Sequence, residues 1–313
     1  MSRVERQATL RADIESCIRE GAFALAYQPI VYLDTGAVVG FEALCRFDDG
    51  ASPERRFQQS ERLGLAADLD LAIIERALGE VAAIPEGDVS VNLSASTILD
   101  DRLCDLLVDD VGRERLVIEV TEHARIPDYE KAQHQLDVLR KSGIRVAVDD
   151  AGAGYSTFQH ILSLRPDLIK MDRSITHDID SDSARRALAA ALVLFGADIG
   201  ATIVAEGVET SREIAALIRA GIHRAQGFAV GLPAMLPLPS LNYEPAGTED
   251  EANARRVRAR TRVQAAMASV RSAERELDTT VASARETGVS WDELADILGI
   301  TRQGVSKRYR QRR

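Results

Sequence analysis

Seven polar residues stand where apolar runs end. Glu42 sits in Phe41-Glu42-Ala43-Leu44, Asn92 near the end of the run 89–93, and Glu119 within 117–121. Asp149 and Asp150 close 145–150, Lys170 closes 167–170 and Glu206 closes 202–206. If those runs are neighbouring strands, their polar ends converge on one face. Carboxylates and an amide gathered in one pocket repel one another unless a cation neutralises them. Oxygen donors without clustered Cys or His select Mg²⁺ or Mn²⁺ over zinc. Two such ions suit hydrolysis of a phosphodiester, one activating water and both holding phosphate oxygens.

Taken singly, an acidic or amide residue at a strand end is ordinarily a helix cap or a solvated rim residue. Asn92 and Glu206 alone fit that description. The adjacent pair Asp149-Asp150 is harder to explain so, because it sets two like charges side by side after an apolar strand.

The elements that would position these groups alternate in type. Runs 25–33 and 37–47 predict two consecutive strands, with Asp34-Thr35-Gly36 as the turn between them. Further strands are predicted at 89–93, 116–121, 145–150, 167–170 and 202–206, with a short one near Gln226. Helical patterns occupy 68–84, 128–142, 183–199 and 211–220. Repeated strand–helix units predict a parallel sheet, and about eight units predict a closed barrel whose strand ends start the functional loops. The early hairpin departs from a standard barrel, since parallel neighbours cannot be joined by a short turn.

The 313 residues suffice for one barrel of about 250 residues and a small appendage. A hydrophobic share of 45% is that of a globular core. The apolar run 187–197 ends at Asp198, short of the roughly 18 residues needed to span a bilayer, so no membrane partner is expected. Met1-Ser2-Arg3-Val4-Glu5-Arg6 shows no secretory pattern, and Cys17, Cys45 and Cys104 form no disulfide framework, which predicts a cytoplasmic protein. The net charge of −10 divides unevenly: residues 1–248 carry −14 and the remainder +4. An acidic body with a basic tail predicts two modules with different partners.

An ordered series of motifs across residues 20–235 resembles the EAL domain, the phosphodiesterase domain that linearises cyclic di-GMP to pGpG. The series runs Tyr27-Gln28-Pro29-Ile30, Glu42-Ala43-Leu44 with Arg46, Asn92-Leu93-Ser94 and Glu119-Val120-Thr121-Glu122. It continues with Asp149-Asp150, Gly152-x-Gly154-Tyr155-Ser156, Lys170-Met171-Asp172, Glu206-Gly207-Val208-Glu209-Thr210 and Gln226-Gly227. The resemblance implies a modified TIM barrel with an antiparallel first strand, which accounts for the hairpin. It also implies two Mg²⁺ or Mn²⁺ ions: Glu42, Asn92, Glu119 and Asp149 would hold one, and Asp149, Asp150 and Glu206 the other. Lys170 would stand beside the attacking water, completing a catalytic set with Glu42 and Glu206. Gln28, Arg46 and Gln226 resemble substrate contacts, and Glu122 the glutamate that steadies the loop after the aspartates.

That loop departs from the family pattern Phe-Gly-Thr-Gly-Tyr-Ser by carrying Ala151 and Ala153. The change removes a ring and a hydroxyl, and predicts slower turnover or altered regulation. Should turnover be silenced altogether, the barrel becomes a cyclic di-GMP receptor within a DNA-binding transcription regulator.

Prolines at 233, 237, 239 and 245 predict a linker over 236–250, between a barrel ending near 235 and a helical module over 251–313. Val263, Val270, Leu277 and Ala284 recur every seven residues, a seam that serves a helix packed on its own domain as well as a homodimeric coiled coil. The stretch 291–306 resembles a helix-turn-helix, with Ser290 as cap, Gly299 at the turn and Thr301 capping a second helix. Arg302, Gln303, Ser306 and Lys307 would read base edges of duplex DNA, and Arg308, Arg310, Arg312 and Arg313 would meet phosphates. A terminal helical hairpin with a solvated basic face has the same pattern.

Overall fold

The structure is a computed structural model that describes residues 3–85, 87–107, 112–121, 126–152, 156–241, 243, 245, 277, 280–281, 283–285, 287–298, 301 and 309. Eight strands close a barrel in the order β1 to β8. They are β1 (Phe23–Tyr32), β2 (Val38–Phe47), β3 (Asp88–Leu93), β4 (Leu116–Val120), β5 (Arg145–Ala151), β6 (Leu168–Met171), β7 (Thr202–Ala205) and β8 (Arg224–Ala225). β1 runs antiparallel to both its neighbours, and every other adjacent pair is parallel. The fold is the expected modified TIM barrel.

Helix α1 (Arg3–Glu20) precedes the barrel, and α2 (Pro53–Leu63) and α3 (Ala66–Glu80) follow the hairpin. The remaining connections carry α4 (Ala95–Ile98), α5 (Asp101–Leu107), α6 (Tyr129–Lys141), α7 (Ser156–Leu164), α8 (Arg173–Thr176), α9 (Ser183–Ile199) and α10 (Ser211–Ala220). Helix α10 starts with a complete capping box: Glu213 N–H donates to Thr210 Oγ1, and the Glu213 carboxylate accepts from the Thr210 N–H. This satisfies donors that a helix start otherwise leaves open.

Side-chain alternation divides the barrel into layers. Outward residues such as Leu25, Val91, Ile118, Val146, Ile169 and Ile203 join the main core. Inward residues Ile30, Val117, Ala147, Leu168 and Val204 fill the barrel with a second apolar cluster. Two positions further along their strands, the same inward faces carry Glu119, Asp149, Lys170 and Glu206. The apolar layer closes the barrel beneath, and the charged layer floors its C-terminal mouth.

The chain divides into two compact units, residues 1–196 with 201–250, and 197–200 with 251–313. In the second unit, Val281, Leu294 and Ala295 form a small core with Val289, Trp291, Leu298 and Tyr309 packed on it. Its helix α11 (Trp291–Leu298) is capped reciprocally: Glu293 N–H donates to Ser290 Oγ and Ser290 N–H donates to Glu293 Oε2. Arg302, Gln303, Ser306, Lys307, Gly299, and Val263 and Val270 of the heptad seam, lie outside the described residues. Among the described residues no helix is long and apolar enough to cross a membrane.

Candidate functional site

The mouth of the barrel centres on Lys170, which is 2% exposed. Its ammonium lies 2.6 Å from Glu119 Oε2, 2.7 Å from Glu206 Oε1, 3.3 Å from Glu42 Oε2 and 3.4 Å from Asp149 Oδ1. Four strands thus send carboxylates to one cation. Glu42 is held further by neutral donors: Asn92 Nδ2 donates to Oε1 at 2.9 Å and Gln226 Nε2 to Oε2 at 2.6 Å. Gln226 Nε2 also donates to Gln28 Oε1 at 2.9 Å, and Gln28 Nε2 donates to the Gly231 carbonyl at 3.0 Å.

Successive residues of a regular strand face opposite ways, so Asp149 and Asp150 would normally diverge. Here the β5–β6 register shifts between Val148 and Ala151, and Asp150 takes φ +56°. This irregularity lets Asp149, Asp150 and Glu206 place ligand oxygens within 4.8 Å of one another. A strained backbone and a strand irregularity beside converging carboxylates are marks of a functional site.

One ammonium does not balance these acids. Burial pushes Glu119 up to about 8, against the opposing pull of Lys170. Burial likewise raises Glu206 well above the usual carboxylate range. Burial works in the same direction on Glu42, but Lys170 and the two amide donors outweigh it and hold that carboxyl below its ordinary value. The desolvation that would lower Lys170 is overcome by its four acidic neighbours, which hold it well above its ordinary value. Acids pushed upward by burial around a single ammonium mark a site deficient in positive charge. The donor oxygens and the close trio Asp149, Asp150 and Glu206 fit a hard divalent cation.

Above this floor lies a cavity of about 310 Å³, lined by Gln28, Asp150, Asp172, Arg173, Glu206 and Phe228 among others. Two glycines shape it. A Cβ on Gly227 would fall 2.2 Å from Val208 N, so only glycine lets the segment after β8 close on the segment after β7. Gly207, at φ +62°, leaves the space taken by the Arg173 side chain, whose guanidinium pairs with Glu209 at 2.7 Å. A larger groove of about 470 Å³ opens between α1, α3 and α5, but Arg102 there is paired with Asp68. Convergent polar groups single out the smaller cavity despite its size.

The expected residues Glu42, Asn92, Glu119, Asp149, Asp150, Lys170, Glu206, Gln28 and Gln226 come together at this mouth. Arg46 shares the strand face of Glu42 four residues further along β2; it is exposed and donates to the Cys45 carbonyl at 2.8 Å, outside the network. Glu122 and Ala153 lie outside the described residues. Ala151 is fully buried and its carbonyl accepts the Asp172 N–H. Sequence reasoning gave no role to Glu209, though it stands in the motif 206–210, and overlooked its exposed partner Arg173 and Asp70, a buried acid inside a helical run.

A family model for the EAL domain matches residues 8–233. Over 243 residues the chain is 29% identical to the bifunctional diguanylate cyclase/cyclic di-GMP phosphodiesterase MucR of Pseudomonas aeruginosa, a match covering 73% of this chain and 36% of that protein. The PaMucR phosphodiesterase solved in complex with c-di-GMP superimposes with a TM-score of 0.63 at 29% identity, covering 69% of this chain and 98% of that one. BlrP1 of Klebsiella pneumoniae, solved as a manganese/cy-diGMP complex, gives a TM-score of 0.61 at 31% identity, covering 68% and 56%. The matched stretch spans about a third of the length of the first curated relatives.

Proposed function

The chain belongs to the EAL domain family, and on that premise we propose that its barrel is a metal-dependent phosphodiesterase hydrolysing cyclic di-GMP to pGpG. The observation that carries this reading is the set of four carboxylates around Lys170, with Asp149, Asp150 and Glu206 within 4.8 Å of one another. Glu42, Asn92, Glu119 and Asp149 would hold one ion, and Asp149, Asp150 and Glu206 a second, with Asp149 shared. Mg²⁺ or Mn²⁺ bound there supplies charge for the phosphate oxygens and lowers the pKa of water.

The chain's own groups have separate tasks. Lys170 offsets the acids and stands where its ammonium can favour the deprotonated form of a nearby water. Gln28 and Gln226 hold each other and Glu42, and so present amides at the cavity wall. Gln226 Oε1 is buried without a hydrogen-bond partner among the described residues, an unsatisfied polar atom of the kind that functional sites carry. Arg46, exposed at the rim, suits a phosphate because its fork donates two hydrogen bonds. The test is Glu42→Ala: turnover of cyclic di-GMP should be abolished while calorimetric melting shows a folded barrel. Near wild-type turnover in that variant would sink the assignment.

The second unit is proposed to bind duplex DNA through the residues after α11. Support comes from the reciprocal cap at Ser290 and Glu293, and from the small core under Trp291 and Leu298. Binding of the full chain to a random-sequence duplex pool should fall steeply with salt, as displaced counterions drive it. Arg302→Ala and Lys307→Ala should relax sequence preference. Failure to retain DNA with or without cyclic di-GMP would reduce the unit to a packing element.

A further inference from the structure

Asp70, on α3, is 2% exposed, and its carboxylate is satisfied by neutral donors. Its Oδ2 accepts from the Ser94 N–H at 2.8 Å and the Thr97 hydroxyl at 2.6 Å. Ser94 Oγ lies 2.8 Å from Thr97 Oγ1 and accepts from the Thr97 N–H, capping α4. One buried carboxylate therefore gathers the whole turn that ends β3 and ties it to a helix outside the barrel.

Two residues before Ser94 stands Asn92. It is half-buried, and its side chain is held by its bond to Glu42. With Nδ2 donating to Glu42, the amide oxygen is the end left to face a cation. We infer that Asp70 is a positioning residue for the metal-binding mouth: through the turn after β3 it fixes Asn92, and through Asn92 the Glu42 carboxylate. This rests on the metal-dependent reading above.

Energetics support a positional role. Burial pushes the Asp70 carboxyl up to about 6, because its hydrogen bonds do not fully offset desolvation. At neutral pH its ionisation is therefore less favourable in the folded chain than in the unfolded one, a cost that a neutral side chain in the same place would not carry. An asparagine there retains one oxygen acceptor for both donors, whereas alanine leaves both buried donors without it.

The experiment is calorimetric Mn²⁺ titration of the full chain, with thermal melting alongside. Asp70→Asn should bind Mn²⁺ within about 3-fold of wild type, and Asp70→Ala about 10-fold or more weaker, as metal sites lose when an outer support is removed. Thr97→Val should weaken binding and Thr97→Ser should restore it, a pair that decides the matter if Asp70→Ala does not fold. Lower melting with unchanged Mn²⁺ affinity in Asp70→Ala, or in Thr97→Val in its place, would mark a purely structural acid and overturn the inference alone. A wild-type chain that binds no Mn²⁺ would overturn the metal reading itself, and this inference with it.

Discussion

At the barrel mouth, Glu42, Glu119, Asp149 and Glu206 share the Lys170 ammonium, while behind β3 Asp70 is satisfied by a backbone amide and a hydroxyl. Both regions take carboxylates out of water. The mouth has more acid than its ammonium balances, so burial raises Glu119 and Glu206 and a further cation is favoured. The Asp70 box has few donors but rigid ones, and it fixes a turn. A buried acid thus means different things according to what faces it: a surplus of acids defines a site, and a few fixed neutral donors define a support.

After the loss of turnover expected of Glu42→Ala, Lys170→Met should produce the largest effect. Removing the cation leaves four acids facing one another, and breaking a buried pair in this way costs about 3–5 kcal/mol. Turnover should fall by about 10²-fold or more, the scale of a lost proton-transfer group. Melting in chelator against melting in Mn²⁺ would separate the two effects, since added Mn²⁺ should recover part of the stability. Equal melting of wild type and variant in chelator would mean that Lys170 is not the counter-ion of this cluster.

Gln226→Leu should act more gently. It removes the hydrogen bonds to Glu42 and Gln28 but leaves the acids in place. The expected result is a loss of about 10-fold in turnover, near 1.4 kcal/mol, with KM rising because the cavity wall loses an amide. A kinetic comparison at saturating metal reads both quantities.

Asp70→Asn should have the smallest effect, and one that depends on pH. The folded carboxyl titrates near 6, above its ordinary 3.8, so the native state holds the proton more tightly than the unfolded chain. Wild-type stability from this group is therefore greatest below about pH 4 and is lost as pH rises through about 6. The neutral amide escapes that loss. The melting temperature of the variant relative to wild type should rise by a few degrees between pH 4 and pH 8, as about 2 kcal/mol would give. A pH-independent difference would mean that the carboxyl is not a costly buried charge.

What the sequence discloses follows the range of each interaction. The hairpin at Asp34-Thr35-Gly36 and the helices 183–199 and 211–220 are written locally, in turn chemistry and in apolar period. The convergence of Glu42, Asn92, Glu119, Asp149 and Glu206 is legible because strand ends in a barrel share one face. The adjacent aspartates draw notice in the sequence, but the irregularity of β5 that aims both at the mouth has no local signature. Asp70 lies hidden for a related reason: in 68–84 it reads as one polar residue of an amphipathic helix, and its donors are 24 and 27 positions away. Helix α2, opened by Pro53, follows the rule for helix starts, yet it carries too few apolar residues to stand out among the expected helices.

The central claim is that the acidic mouth performs metal-dependent cleavage of cyclic di-GMP. The most direct measurement incubates the full chain with cyclic di-GMP across a Mn²⁺ titration and in chelator, with the product identified chromatographically. The account predicts pGpG formed in proportion to metal occupancy and none in chelator. Cyclic di-GMP bound but left intact at saturating Mn²⁺ and Mg²⁺, or pGpG formed equally well in chelator, would contradict it.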